Sequence, residues 1–175
     1  NEQFGLRVNA AYEDLDPQTR NARGHRRMAA VAADARLSND TLIEVEFETS
    51  RQQPPSVPGF SLLGTVVPDA DSIDPRINLN NQPWSQPVVA SGNTASLRIT
   101  HDLSPDWRAR LQAMTQRLTS DDRIAFPFGC SAELVFDRYC SDGSFDYYDF
   151  RSDNERRTSH ALDLAVKGRA QWAGT

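Results

Sequence analysis

The chain has 175 residues, 24 acidic and 19 basic side chains and a net charge of −5, scattered in both signs. Without a basic patch, a nucleic-acid partner is excluded. A mean hydropathy of −0.60 excludes membrane-spanning helices, which need about 20 apolar residues in succession, but not spanning strands, which put only alternate residues in lipid.

Phe4 to Tyr12 alternates, with Leu6, Val8, Ala10 and Tyr12 on one parity and Arg7, Asn9 and Ala11 on the other, and reads as a first strand. The start at Asn1-Glu2-Gln3-Phe4, with neither Met nor signal peptide, reads as a cut within a longer chain. Residues 13–24 carry Pro, Asn, Asp and Gly without periodicity and form a loop. Arg26 to Thr49 is the clearest element of the chain. Two alternating runs flank Ser38-Asn39-Asp40, and on the second Ile43, Val45 and Phe47 oppose Glu44, Glu46 and Glu48, a period of two that no helix produces.

Residues 53–93 lose alternation and are rich in Pro, which predicts a long loop; Phe60, Leu62, Leu63, Ile77, Leu79 and Trp84 predict that it packs. Thr94 to Leu103 resumes alternation. Ser104-Pro105-Asp106 is a second short turn, and Trp107 to about Leu118 a fifth strand. Residues 119–143 form a third long connection containing Cys130 and Cys140, whose closeness suits a loop disulfide, two free thiols being the alternative. From Ser144 the chain runs to Trp172 as a sixth strand longer than a membrane is thick. The result is an all-β, antiparallel up-and-down meander of about six strands.

Alternation of this kind fits a half-solvated sheet of a soluble domain or the wall of a membrane barrel. Its repetition, the few bulky residues on the apolar parity, and the alternation of short turns with long loops favour the wall. Trp107 and Trp172 fall on the apolar parity at the short-turn end, where an aromatic girdle sits.

PSVPGFSLLG (55–64), DPRINLNNQPWSQPVV (74–89), GNTASLRIT (92–100), MTQRLTSDDRIAFPFGC (114–130) and YDFRSDNERR (148–157) together resemble TonB-dependent ferric-siderophore receptors of Gram-negative bacteria. The resemblance covers nearly the whole chain. It implies that residues 1–175 are part of a 22-stranded outer-membrane β-barrel, with long external loops at 13–24, 53–93 and 119–143. It further implies import of ferric siderophores with energy from TonB, delivered through an N-terminal plug region outside this chain. Iron then enters only as a siderophore chelate, the other partner is outer-membrane lipid, and no cofactor or resident metal is implied. The alternative function is a soluble β-domain that binds carbohydrate or protein through its loops.

No enzyme signature is present. His25, His101 and His160 lie far apart, without HExxH or ligand spacing, and read as surface histidines; Glu44, Glu46 and Glu48 read as a wet face, with cation or plug contact the alternative. A bulky, oxygen-rich chelate calls for aromatic and cationic groups at the external mouth. The candidates are Trp84, Tyr147, Tyr148, Phe60, Phe126 and Arg117, with Arg51 and Arg123 also near strand tops. Trp84 and Tyr147 lead, and the competing role for every ring is packing loop against loop.

Overall fold

The computed structural model describes residues 3–59, 61, 64, 67 and 69–170. Six strands, β1 (Phe4–Leu15), β2 (Gly24–Arg36), β3 (Thr41–Gln53), β4 (Val89–Ser104), β5 (Trp107–Pro127) and β6 (Tyr147–Gly168), form one antiparallel sheet in sequence order. The two short turns have the same local chemistry. The hydroxyl of Ser38 accepts from the Asp40 N–H at 3.2 Å and that of Ser104 from the Asp106 N–H at 3.4 Å, the side-chain capping that makes Ser-x-Asp a tight reversal.

Several strands run beyond their alternating segments. β1 continues to Leu15, so the loop expected at 13–24 narrows to 16–23; β4 begins at Val89, so that at 53–93 narrows to 54–88. The largest difference is in β5, which pairs with β6 through Pro127 and reduces the third loop to 128–146, while β6 begins at Tyr147 and not at Ser144. Here the cross-strand ladder sets the conformation where side-chain polarity gives no signal. Phe60, Leu62, Leu63, Trp172 and the chain end at Ala173-Gly174 lie outside the described residues.

Register turns the two parities into two faces. Phe4, Ala35, Ile43, Ile99, Leu111 and Leu164 form one rung across all six strands; Leu6, Ala33, Val45, Leu97, Ala113 and Leu162 form the next; Val8, Val31, Phe47, Ala95, Thr115 and His160 the third. The opposite face carries Asp34, Glu44, Arg98, Gln112 and Asp163 in one rung, with Arg98 reaching Glu44 at 3.5 Å and Arg110 reaching Asp163 at 2.8 Å. Among the described residues no second layer covers the apolar face. Leu6 is 74% exposed and Leu162 75%, whereas the buried apolar residues among those described, Ala22, Val89, Ala125, Pro127, Cys130 and Cys140, all lie at the long-loop end.

Candidate functional site at the loop end

The three long loops meet above the tops of the strands and are knitted together by polar contacts. In loop 16–23, the Arg20 guanidinium reaches Asp74 at 2.6 Å, and the Arg20 N–H donates to the Arg76 carbonyl at 2.8 Å. The INLNNQPW segment is the knot of loop 54–88. Asn78 donates to the Arg20 carbonyl at 3.0 Å, buried Asn80 donates to the Ser56 carbonyl at 2.8 Å, and Asn21 donates to the Asn81 side chain at 3.1 Å. Amide side chains at these positions satisfy backbone groups of a loop that has no ladder of its own. The Arg76 N–H, more than the Arg20 guanidinium, holds the Asp74 carboxyl below the usual carboxylate range.

Loop 128–146 is closed by a disulfide between Cys130 and Cys140, with Cα atoms 5.0 Å apart. Glu133 stands near both sulfurs, but bonded cysteines offer no thiolate, so this group is not a metal centre. Tyr139, beside the bridge, packs on Phe145 with ring centres 5.0 Å apart, and its hydroxyl accepts from the Ser61 N–H at 3.1 Å. The bridge therefore also fixes the edge of the neighbouring loop.

A bulge decides which aromatic rings face where. Between the pairs Ser120↔Glu155 and Asp122↔Ser152, β5 has one residue and β6 has two, Asp153 and Asn154; Asn154 adopts φ 58°, and its N–H donates to Asp121 at 2.8 Å. The extra residue reverses the parity of β6 above it while β5 keeps its own. Phe150 thus pairs with Ile124 and Tyr148 with Phe126 on the continuation of the polar face. The Phe126 and Tyr148 rings stack at 5.8 Å, and Phe128 meets Phe126 edge-on at 6.4 Å. Beside them Pro58, Gly59 and Ser61 complete an open cleft of about 270 Å³ with Ile124, Phe126, Pro127 and Phe128.

Tyr147 falls on the other face. Its ring meets Trp84 edge-on at 6.3 Å, Gln82 donates to its hydroxyl at 2.6 Å, and the hydroxyl donates to the Leu79 carbonyl. Burial raises the Tyr147 phenol above its ordinary value, the Gln82 bond opposing. Trp84 and Tyr147 are brought together, but as a clamp that holds loop 54–88 against the outer side of the β5–β6 extension, with Ala125 buried beneath. Tyr148 and Phe126 share the polar-face side with Phe128 and Phe150, two rings that were not among the sequence candidates. Arg117 stands on the apolar parity, opposite Asn93 and Thr158, as does Arg51 opposite Arg27 and Ser91, so neither joins the rings. Arg123 is bound to Asp153 at 2.7 Å.

No protein-family model matches the chain, and no curated protein is similar to it in sequence. Among solved structures, the chain is similar to the ferric-catecholate import receptor Fiu of E. coli K12 in its closed form, with a TM-score of 0.69 at 16% identity, over 95% of this chain and 24% of that one. The likeness is one of fold, and the chain spans about a quarter of the length of the structure it matches. No helix among the described residues is long and apolar enough to cross a membrane.

Proposed function

We propose that the chain is a section of the wall of a 22-stranded outer-membrane barrel, in a Gram-negative receptor that binds ferric siderophores and imports them with TonB-supplied energy. The observation that carries the reading is the slope of the apolar band. Its upper margin is Tyr12 on β1, Ala29 on β2, Phe47 on β3, Ala95 on β4, Ala113 on β5 and Leu162 on β6. Leu162 shares its rung with Leu6, six residues before Tyr12, so the margin falls six residues over the five steps from β1 to β6. At about 3.3 Å per residue and about 4.8 Å between strands, that slope is about 40°. Strands of outer-membrane barrels lean by roughly 35–45°, and leaning these strands by that angle makes the band level.

The absence of a covering layer points the same way, because an apolar face without a core needs lipid as its solvent. The outer edges of β1 and β6 have no strand partner among the described residues. Unpaired backbone is not tolerated in hydrocarbon, so the proposal includes closing strands on both sides.

The ferric-siderophore part draws on the loop motifs and on the ligand in the neighbour's name, which makes ferric catecholates the first ligands to test. In this reading Phe126 and Tyr148 contact the chelate from the mouth, whereas Trp84 and Tyr147 support the loops. The test is equilibrium binding of a ferric catecholate to the intact receptor in detergent. Tyr148→Ala or Phe126→Ala should weaken binding by about 1–3 kcal/mol, as for truncating a good anchor. Recovery of the intact protein from the aqueous fraction without detergent would overturn the reading.

A further inference from the structure

We propose that Arg27, Arg51 and Arg117 form a binding belt on the outer face for the phosphates of lipid headgroups. The proposal rests on the barrel-wall reading above.

All three are on the apolar parity, just above the apolar side chains of their own strands: Arg27 two residues beyond Ala29, Arg51 four beyond Phe47, and Arg117 four beyond Ala113. On strands leaning by about 40°, that is roughly 5–10 Å above the hydrocarbon, the level of headgroup phosphates.

Among the described residues no carboxylate forms an ion pair with them. Ten of the chain's other fifteen arginines make ion pairs; among the described residues these three make none, nor do Arg7, Arg36, Arg76, Arg156 and Arg169, none of which is on the apolar parity at this height except Arg156. On the polar face at the same height, Arg26 is paired with Glu13 and Arg157 with Glu155. The two outer rungs concerned otherwise hold Ala10, Tyr12, Thr49, Ser91, Asn93, Thr119, Thr158, Ala29 and a fourth arginine, Arg156, without a carboxylate.

Arg27 and Arg51 are direct cross-strand partners. Like charges so placed repel, and an anion held between them turns the repulsion into two charge-assisted hydrogen bonds. The arginine fork suits phosphate oxygens, and hydroxyl and amide side chains on either side add neutral donors. A free polyanion has no reason to choose this height. A lipid does, because its acyl chains lie along Val31, Phe47 and Leu97 directly below.

The experiment uses the intact receptor in detergent, offered bisphosphorylated lipid A, dephosphorylated lipid A or inorganic phosphate, with bound lipid counted by native mass spectrometry. The wild type should retain the phosphorylated lipid in preference to the dephosphorylated one. Arg27→Gln/Arg51→Gln/Arg117→Gln should lower that retention about tenfold, the loss of roughly one charge-assisted contact, and leave ferric-siderophore affinity unchanged. Arg26→Gln/Arg157→Gln, on the other face, should retain lipid as the wild type does. Should the triple variant fail to fold, Arg51→Gln alone is expected to give a smaller loss in the same direction. Equal retention by wild type and folded variant, equal retention of the two lipids, an equal loss in the polar-face control, or displacement of lipid by stoichiometric inorganic phosphate would each overturn the belt. A wild type that stays in solution without detergent and takes up neither lipid would instead refute the barrel-wall reading itself.

Discussion

Leu6 and Leu162 provide a direct test of the slope. They share one rung, five strands apart, and are equally bare, at 74% and 75% exposed. On a free-standing sheet in water, replacing either by Arg should cost within about 0.5 kcal/mol, with no difference between them. In a barrel leaning by about 40° they are at different depths. Leu6 lies six residues below the margin at Tyr12, about 15 Å down, close to the middle of an apolar band about 25 Å tall. Leu162 is itself at the margin. Leu6→Arg should therefore cost about 2–4 kcal/mol, and Leu162→Arg about 0–1 kcal/mol. The assay is denaturant unfolding of the intact receptor reconstituted in vesicles, where the midpoint shift at constant slope reads the difference. Equal costs at the two sites would refute the tilt reasoning, whatever their size.

A Cβ on Gly168 would come within 2.2 Å of the Trp107 ring that lies over it, so Gly168→Ala should push the indole away at a cost of about 1 kcal/mol; an unchanged Trp107 emission would count against that packing. Trp107→Ala should lower stability but leave ligand affinity within roughly a few tenths of a kcal/mol, because an interfacial ring is far from the mouth. The depressed Asp74 pKa gives stability that is complete above the unfolded value of 3.8 and is lost as pH falls through the lower folded value. The protection of the Arg20 amide, relative to its intrinsic exchange rate at each pH, should thus hold at neutral pH and fall only in acid below 3.8, and its loss near neutrality would count against the tie to Asp74. Deleting Asn154 should restore unbroken alternation and turn Tyr148 and Phe150 outward, lowering ferric-catecholate affinity at least as much as Tyr148→Ala; unchanged affinity would place the contact elsewhere.

The strands below the loops were legible because one face of each must be apolar throughout. Ile43, Val45 and Phe47 against Glu44, Glu46 and Glu48 allow only one conformation, and the Ser-x-Asp turns fix where it reverses. Above the apolar band that demand ends. From Thr119 to Pro127 water or loop lies on both sides, so hydrophobicity carries no period there, and the strand is held by pairing with residues 20 to 37 positions away. The closeness of Cys130 and Cys140 within a loop was readable locally, and the bridge closes the loop those residues suggest.

The mouth was legible as a composition but not as a surface. FDYYDF announces aromatic rings, and in an unbroken strand alternation would put Tyr147 on the same side as Arg157 and Glu155, making it the natural ligand contact. One residue undoes that. Asn154 tolerates a positive φ better than most side chains, and its N–H finds the Asp121 carboxylate, so the bulge costs little and the face changes there. Neither Asn154 nor Asp121 stands out in the sequence, since an Asn in a polar run and an Asp in another are ordinary. Only the pairing of two segments about 30 residues apart makes them a switch of parity. The rings then divide by chemistry as well as by side. Tyr147, with two polar partners for its hydroxyl, goes to the clamp with Trp84, where those partners tie the ring to loop 54–88. Phe126, Phe128 and Phe150, which have no polar group to satisfy, gather with Tyr148 on the polar-face side.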